Sequence, residues 1–351
     1  MTPDPGRREG KPLPDWLSFH IYYHRGDRDD LLSRAVRPLV EELLFSESIV
    51  SFFFVRYSLG GPHVRLRLLP SRGAAAAVRE AVSRVTGAFL RLHPSPGALP
   101  SEEIARFNQN LLRLDPNEHD DEIHPDNSCH ETDFVPETER YGGTALLPAS
   151  LAFFALSSVR ALQLIADRPA SSAPVWLASA LGLLRRFTLG FATCAEDLLD
   201  LTRTPSVANA DVTAVIEAKA DGLFARQYNS FRAALEHDLA AAPCASPLGN
   251  DISIAAGLRR EVAAAEPATR RRLLTSHLHM SLNRLGLRNS DEVYLARLLQ
   301  RWFAMLAERD PGNWAELDRT LRSRPAAHPL QEELPKAFGA LLSDRQLAGR
   351  S

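Results

Sequence analysis

The chain has few of the residues that mark several large classes of protein. Its three cysteines, Cys129, Cys194 and Cys244, have no spacing that would indicate a disulfide framework, and we expect a reducing, cytoplasmic location. The first fifteen residues are polar and lack the apolar segment of a signal peptide, so residues 1–15 are predicted to be a disordered arm. No apolar run reaches the length of about 18 residues that marks a membrane span, and none is predicted.

Lysine is also scarce, since only Lys11, Lys219 and Lys336 occur among 41 basic residues. A GC-rich genome explains an arginine excess, and so does bidentate recognition of carboxylate or amide groups. The net charge of −2 gives no general reason to expect a nucleic acid or an anionic membrane as partner. The patterns GxxxxGK[ST], GxGxxG and GxSxG are missing, so nucleotide-dependent and triad-hydrolase chemistry have no support.

The N-terminal part of the chain has the pattern of an antiparallel sheet with helices on one face. Aromatic and β-branched residues predict strands, and a turn-rich connector at 58–62 joins two of them into a hairpin. Asp27 is a candidate N-cap for the first helix. Strand, helix, hairpin and helix in this order predict helices packed on one face of the sheet. The predicted strands are 16–23, 50–57 and 63–69, and the predicted helices are 27–44 and 72–92.

Helical patterns predominate after residue 147. Gly286 follows one of these helices at a C-cap position. The predicted helices are 148–166, 175–201, 206–239, 256–285, 291–308 and 331–343. The sequence therefore predicts one α+β domain over 16–345, with a sheet-containing half at 16–147 and a mostly helical half at 148–345 that share a cleft.

The second arm of the hairpin carries a pair of arginines. The period of two in a strand sends His63, Arg65 and Arg67 to one face, while Val64 and Leu66 go to the other. Successive positions on one face are about 7 Å apart. The two guanidinium groups are either solvated or directed towards a ligand. Arg56, on the first arm, joins this face in one register of the hairpin and leaves it in the neighbouring register.

The segment "FVPETERYGG" (134–143) places an acid beside a guanidinium group. Glu137 and Arg140 are three residues apart, so they form either a structural ion pair or an acid–cation pair in a site. Gly142 and Gly143 allow a turn or a close approach of the backbone.

The helix "LTSHLHMSLNRLGL" (274–287) contains two histidines. His277 and His279 are two residues apart and point to roughly opposite sides, which is the wrong spacing for a shared metal. One of them is expected in the core with a satisfied hydrogen bond, and the other is a candidate for proton transfer in a cleft. The predicted core stripe of this helix is Leu278, Leu282 and Leu285, with His279 and Asn283 on another side.

The segment 117–133 is rich in possible metal ligands, among them His119, His124, Cys129 and His130. Its spacing matches no zinc or calcium pattern, and its Asp, Asn and Pro content is typical of a solvated loop. We therefore predict no metal site.

Taken together, three of these segments resemble one known family. The stretches "FFFVRYSLGGPHVRLRL", "PETERYGG" and "HLHMSLNRLG" occur in the order found in the elimination domain of lantibiotic dehydratases, also called thiopeptide-type bacteriocin biosynthesis proteins. The resemblance runs from about Trp16 to about Arg301. It implies action on a ribosomally made peptide that carries a leader, and it implies no cofactor.

The resemblance also implies site residues. Those of the family fall here on Arg65, Arg67, Glu137, Arg140 and His279, which we expect to act in catalysis. We expect the arginines to hold acyl or amide oxygens of the peptide, and His279 to meet them across the cleft. Lesser candidates for substrate binding are Arg56, Tyr141, Ser281, Asn283 and Tyr294.

This sequence departs from the elimination enzymes at several positions. These enzymes carry a Glu and then Asp-Ser on the helix after RYGG, where this chain has Leu151 and Ser157-Ser158. The region 110–133 has the character of an insertion, and the large glutamylating region is expected to be absent. These departures are most similar to thiopeptide pyridine synthases, which join two dehydroalanines in a formal aza-[4+2] cycloaddition.

Three functions remain open from the sequence. The first is a stand-alone pyridine synthase acting on a peptide with azoles, dehydroalanines and a leader, with other biosynthetic enzymes of the same pathway as candidate partners. The second is a stand-alone lyase that eliminates glutamate from glutamylated Ser or Thr. The third is a non-catalytic subunit that binds the leader peptide.

Overall fold

The chain folds into two compact units. The computed structural model describes residues 15–114, 122–167, 173–203, 210–241 and 247–348. One unit comprises Met1–Leu151 with Leu342–Ser351, and the other comprises Ala152–Leu341. The predicted α+β class is confirmed, because all described strands lie in the first unit and the second is helical. The predicted disordered arm lies outside the described residues, except for Asp15.

A four-stranded antiparallel sheet forms the centre of the first unit. Its strand order is β2-β3-β1-β4. The predicted hairpin is β2 and β3, and Gly60 and Gly61 in its connector have φ angles of 76° and 121°, which suit glycine. The strands are β1 Leu17–Tyr22, β2 Ile49–Tyr57, β3 His63–Pro70 and β4 Ser128–Thr132.

One face of this sheet is apolar and is covered by helices. Val64, Leu66 and Leu68 are fully buried there. The covering helices are α1 Arg28–Leu31, a π-helical turn Leu32–Val36, α2 Arg37–Phe45 and α3 Ala75–Leu92. The helix α2 contacts β2, and α3 contacts β4. The predicted cap is confirmed, since the Asp27 side chain accepts a hydrogen bond from the backbone N–H of Asp29 at 2.8 Å.

Two elements of the first unit differ from the sequence prediction. Residues 128–132 form β4 and are not a solvated loop. Because β4 lies at the edge of the sheet that the described strands form, where it pairs with β1, its residues are mostly half-buried and its composition stays polar. The helix α4, Ser101–Leu114, was not predicted, although Ile104 on it is 2% exposed. Asn108 of α4 accepts a hydrogen bond from the Gly60 N–H at 3.1 Å and so braces the hairpin connector.

The remaining helices begin with α5 and run to the end of the described chain. Their bounds are α5 Leu147–Ala166, α6 Ala173–Phe191, α7 Ala195–Leu201, α8 Ala210–Ala241, α9 Pro247–Glu261, α10 Pro267–Arg284, α11 Asn289–Arg309, α12 Pro311–Arg322 and α13 Leu330–Ala348.

In the second unit, two of the predicted helices are each divided into two helices, and the helix α12 was not predicted. The predicted helix 175–201 breaks because the Asp197 carboxylate accepts hydrogen bonds from the N–H groups of Thr193 and Cys194 and caps a new helix. The predicted helix 256–285 breaks before Pro267, which starts α10 at its first position. The missed helix α12 begins with an Asp310 cap followed by Pro311.

The apolar helix α5 is a core helix. It has the length and composition of a membrane span, with a mean hydropathy of 1.6, but 78% of that window is buried in the protein. A buried charge cluster ties α5 to α6 and α9, because the fully buried Asp251 carboxylate lies 3.0 Å from Arg160 Nε and 2.8 Å from Arg186 Nε.

Candidate active site

The sheet face opposite the helices is polar, and we call it the arginine face: His20, Tyr22, Tyr57, His63, Arg65, Arg67 and His130. The register places these residues side by side. His63 is opposite both Tyr22 and Tyr57, and Arg65 is opposite His20. The alternation predicted for β3 therefore holds, and β1 adds residues that the sequence alone did not associate with the arginines.

Arg65 is held between a ring face and an imidazole. Its guanidinium carbon lies 3.7 Å from the centroid of the Tyr57 ring, which is a cation–π contact. Its Nε–H donates a hydrogen bond to Nε2 of His63 at 3.2 Å. The position of the guanidinium plane is thus restricted from two sides.

Arg67 is buried at 6% exposure and is held in a similar way. Its Nη2 donates to Nε2 of His20 at 3.2 Å. Its guanidinium carbon lies 5.5 Å from the Phe134 ring, which packs against Trp16 and Phe53 with ring centroids 6.0 Å apart in both cases.

Arg56 does not belong to the arginine face: of the two registers that the sequence left open, the structure has the one that sends Arg56 to the other face. Its role in substrate binding stays a prediction. The β2–β3 register pairs Arg56 with Val64, which places both on the covered face. There Arg56 forms a short ion pair with Asp29 of α1. The reason is the side-chain period of two, because one step along β2 exchanges the two faces.

The two imidazoles beside the arginines are held in the neutral form. Burial, followed by the charges of Arg65 and Arg67, lowers the pKa of His20 from 6.5 to about 2. Burial and the charge of Arg65 lower the pKa of His63 well below its ordinary value. His63 is fully buried, stacks on His20 with centroids 4.8 Å apart, and lies 4.5 Å from the Tyr22 ring.

The segment "PETERYGG" forms a tight turn in the first unit. Arg140 Nη1 donates to Glu137 Oε2 at 2.8 Å, so the two predicted site residues form an ion pair. The turn is closed by a hydrogen bond from the Gly143 N–H to the Thr138 carbonyl at 2.8 Å. Tyr141 is buried at 4% exposure, with the Arg140 guanidinium 5.7 Å from its ring centroid.

The two histidines of α10 have different environments, as their spacing predicts. His277 is fully buried, its Nδ1–H donates to the Leu273 carbonyl at 2.7 Å, and it packs between Phe153 and Phe154. His279 has 40% of its side chain exposed. The predicted core stripe of Leu278, Leu282 and Leu285 is buried.

Glu292 is a partner of His279 that the sequence did not indicate. His279 Nδ1 lies 2.7 Å from Glu292 Oε2, and the Glu292 side chain is 14% exposed. A carboxylate can only accept here, so Nδ1 carries the proton and Nε2 is the ring nitrogen that exchanges protons with other groups. Glu292 lies in the first turn of the next helix, α11, thirteen residues away in sequence. The predicted meeting of His279 with the arginines stays a prediction.

The lesser candidates of the second unit differ in accessibility. Ser281 is buried at 2% exposure, and its hydroxyl donates to the His277 carbonyl one turn earlier at 2.7 Å. Asn283 and Tyr294 are half-buried. Arg284 is fully buried, with Nε donating to Ser158 Oγ at 3.0 Å and its guanidinium 4.9 Å from the Phe154 ring.

One group of side chains within the described residues has atoms close enough for a metal ion: Cys194, Glu196 and Asp318. Asp318 already accepts hydrogen bonds from the Ala195 N–H at 2.9 Å and from Arg322 Nε at 2.6 Å. Asp318 therefore caps the N-terminus of α7 through the Ala195 N–H, and the guanidinium group of Arg322 neutralises its carboxylate.

A cavity of about 630 Å³ lies on the covered side of the sheet, between α3 and the strands β1 and β4. Phe19 and Glu131, which line it, are paired with each other, and Phe19 is also opposite Leu66 of the apolar face. The cavity is therefore separate from the arginine face.

Comparison with known proteins identifies the family. The sequence profile described as lantibiotic biosynthesis dehydratase C-term matches residues 16–303. The chain belongs to this family. No curated protein sequence matches it.

Solved structures with a similar fold include those of TbtD and MibB. The pyridine synthase TbtD from thiomuracin biosynthesis has a TM-score of 0.63 and 21% identity, over 84% of this chain and 98% of that chain. The tRNA dependent lantibiotic dehydratase MibB from Microbispora sp. 107891 has a TM-score of 0.55 and 18% identity, over 88% of this chain and 29% of that chain.

Proposed function

We propose that the protein is a pyridine synthase of thiopeptide biosynthesis. Its substrate would be a linear peptide with azoles, two dehydroalanines and a leader. One dehydroalanine supplies a 2-azadiene after its flanking amide tautomerises to the imidic acid, and the other supplies the two-carbon partner. Two new ring bonds form, and then water and the leader, as a carboxamide, are lost. These two losses set the oxidation level of the aromatic ring, so the reaction needs no external oxidant.

The arginine face supplies the cationic part of this chemistry. Arg65 and Arg67 are fixed by neighbouring rings and imidazoles, so their guanidinium groups are preorganised to polarise amide oxygens of the peptide. Holding two distant dehydroalanines close together contributes to the rate by removing the entropy of their encounter. Arg140, with its partner Glu137, is assigned a similar role in polarising an amide.

His279 supplies the proton transfer. Glu292 fixes Nδ1 as the protonated nitrogen, so Nε2 can take a proton and return it. The tautomerisation of the amide and the loss of water both require this kind of transfer. Glu292 is the residue that orients the imidazole.

The environment of Leu151, Ser157 and Ser158 carries the preference for this function over glutamate elimination. Elimination enzymes resemble this chain but carry acidic residues at the positions that correspond to Leu151 and Ser157. Here Leu151 is buried at 7% exposure, and the Ser157 hydroxyl donates to the Phe154 carbonyl at 3.2 Å. Neither position offers a carboxylate.

The alternative of a glutamate-elimination lyase is supported by the retention of Arg65, Arg67, Glu137, Arg140 and His279. A leader-binding subunit without catalysis would need neither a proton-transfer residue nor the Glu292 carboxylate that orients it. Both alternatives are distinguished from the proposed function by the products that the protein forms.

The test is incubation of the purified protein with two synthetic leader-bearing peptides, analysed by mass spectrometry. One peptide carries azoles and two dehydroalanines, and the other carries glutamylated serine. A pyridine synthase converts the first into a macrocycle and a free leader carboxamide. Loss of glutamate from the second peptide alone would establish the lyase instead, and binding of both without conversion would establish the leader-binding subunit.

A further inference from the structure

We propose that His63 and His20 are positioning residues for the two arginines of the arginine face: each imidazole accepts a hydrogen bond that fixes one guanidinium group in the orientation that contacts the peptide. This inference rests on the proposed function for its kinetic consequence. The hydrogen bonds themselves are a property of the fold and can be measured without any substrate.

The hydrogen bonds around His63 determine its tautomer. Nδ1 lies 2.8 Å from the Gly61 carbonyl, which can only accept, so Nδ1 carries the proton. In a neutral ring Nε2 is then an acceptor, and it faces the Nε–H of Arg65 at 3.2 Å. The backbone of the hairpin connector therefore sets the ring of His63, and the ring sets Arg65. Any contact of Arg65 with the peptide is then made through its terminal nitrogens.

His20 has the complementary arrangement. A guanidinium group can only donate, so the 3.2 Å contact from Arg67 Nη2 makes Nε2 of His20 the acceptor and places its proton on Nδ1. The two rings stack at a centroid distance of 4.8 Å, which links the two supports. His20 and Arg65 are also opposite each other across β1 and β3.

This arrangement requires both imidazoles to stay neutral beside two cations. His63 is fully buried and His20 is 8% exposed, and burial disfavours the imidazolium form of each. The other groups facing His20 are the rings of His124 and His130, and both lower its pKa further. A neutral imidazole acceptor orients the guanidinium group without itself adding a negative charge beside it.

The inference is tested by substitutions that distinguish the hydrogen-bond acceptor of each imidazole from the space that its ring fills. Gln has a carbonyl oxygen near the position of Nε2, and Leu fills a similar space with no acceptor. His63→Leu and His20→Leu should lower the single-turnover rate by up to about 100-fold, because a small misplacement of a catalytic group has effects of this size. His63→Gln and His20→Gln should recover most of that loss. The matched control is His93→Leu, which removes an imidazole bonded to Arg34 at 2.9 Å on the surface of the same unit.

A mutant cycle with Arg65 distinguishes positioning from a general structural effect. If His63 acts through Arg65, His63→Leu has little further effect in an Arg65→Ala background, so the two effects are strongly non-additive. Equal losses in both backgrounds would overturn the inference. So would a rate for His63→Gln as low as that of His63→Leu in proteins with equal melting temperatures.

A measurement on the unmodified protein keeps the inference testable if the fully buried position 63 does not tolerate leucine. In protein labelled with ¹⁵N at arginine Nε, the Nε–H signal of Arg65, assigned from an Arg65→Lys variant, should exchange slowly with water. The 62% exposed Arg203 provides the reference for fast exchange. Exchange of Arg65 as fast as Arg203 would refute the hydrogen bond. If the protein forms no macrocycle but Arg65 exchanges slowly, the proposed function fails and the positioning contact stands.

Discussion

The buried His20 predicts a specific loss of stability in mild acid. The pKa of His20 is about 2 in the folded protein and about 6.5 in the unfolded chain. Below pH 6.5 the unfolded chain binds a proton at this position that the folded protein does not bind, so the free energy of unfolding falls as the pH falls. The stability is complete above about pH 6.5 and declines continuously towards pH 2.

The magnitude follows from the size of the shift. Each pH unit in this window lowers the free energy of unfolding by about 1.36 kcal/mol for one such group. Between pH 6.5 and pH 5, His20 therefore accounts for about 2 kcal/mol. His63 acts in the same direction, because burial also lowers its pKa. One such loss is a large share of the usual stability of a folded domain.

The assay is urea unfolding at pH 7.5 and pH 5, monitored by hydrogen exchange of the backbone amides in β1 and β3. Because both strands lie in the first unit, these amides report the unfolding of that unit alone. Relative to the unmodified protein, His20→Gln should lose about 2 kcal/mol less on going to pH 5. His20→Leu should show the same reduction, because it also removes the titrating group. Unchanged pH dependence in both variants would refute a buried neutral His20 in the folded state.

Three further predictions concern single side chains. Glu292→Leu should slow single-turnover product formation by on the order of 10- to 100-fold without lowering the melting temperature. It should have no further effect in a His279→Ala background, and additive losses would contradict the orienting role of Glu292. Arg65→Ala should reduce turnover while a leader-only peptide binds with unchanged affinity in fluorescence anisotropy, and an equal loss of affinity would place leader binding at Arg65. Asp251→Asn should lower the free energy of unfolding of the second unit by about 3 to 5 kcal/mol in urea titrations, because it leaves two buried guanidinium groups without their carboxylate. A loss below about 1 kcal/mol would contradict the role of Asp251 in stabilising this unit.

The strand β3 was predictable because its pattern is local. The alternation of Val64, Leu66 and Leu68 with His63, Arg65 and Arg67 determines its two faces without any knowledge of neighbouring strands. The face of Arg56 could not be determined in this way, since it depends on the hairpin register, and one residue of shift exchanges the faces. The strand β4 was missed because an edge strand with one neighbour does not need alternating apolar residues.

The partners of the candidate site residues required the structure. His20 is 45 residues from Arg65 in sequence, and only the pairing of β1 with β3 brings them together. Glu292 reaches His279 from the first turn of the following helix. A glutamate in a first helical turn is common for electrostatic reasons, so its position in the sequence indicated nothing more. The histidine spacing on α10, in contrast, correctly separated the buried His277 from the exposed His279.

The most direct test of the account is single-turnover macrocycle formation by the unmodified protein and by His279→Ala, with thermal melting of both. The unmodified protein should convert the linear didehydroalanine peptide into the macrocycle and the leader carboxamide. His279→Ala should melt at the same temperature and react about 10²- to 10⁴-fold more slowly, which is the usual contribution of a positioned acid–base group. His277→Ala serves as the second comparison. Because the His277 ring is buried in the core, this substitution should lower the rate less than His279→Ala. A folded His279→Ala protein with a near-normal rate would contradict the proton-transfer role, and no macrocycle from the unmodified protein would contradict the proposed function itself.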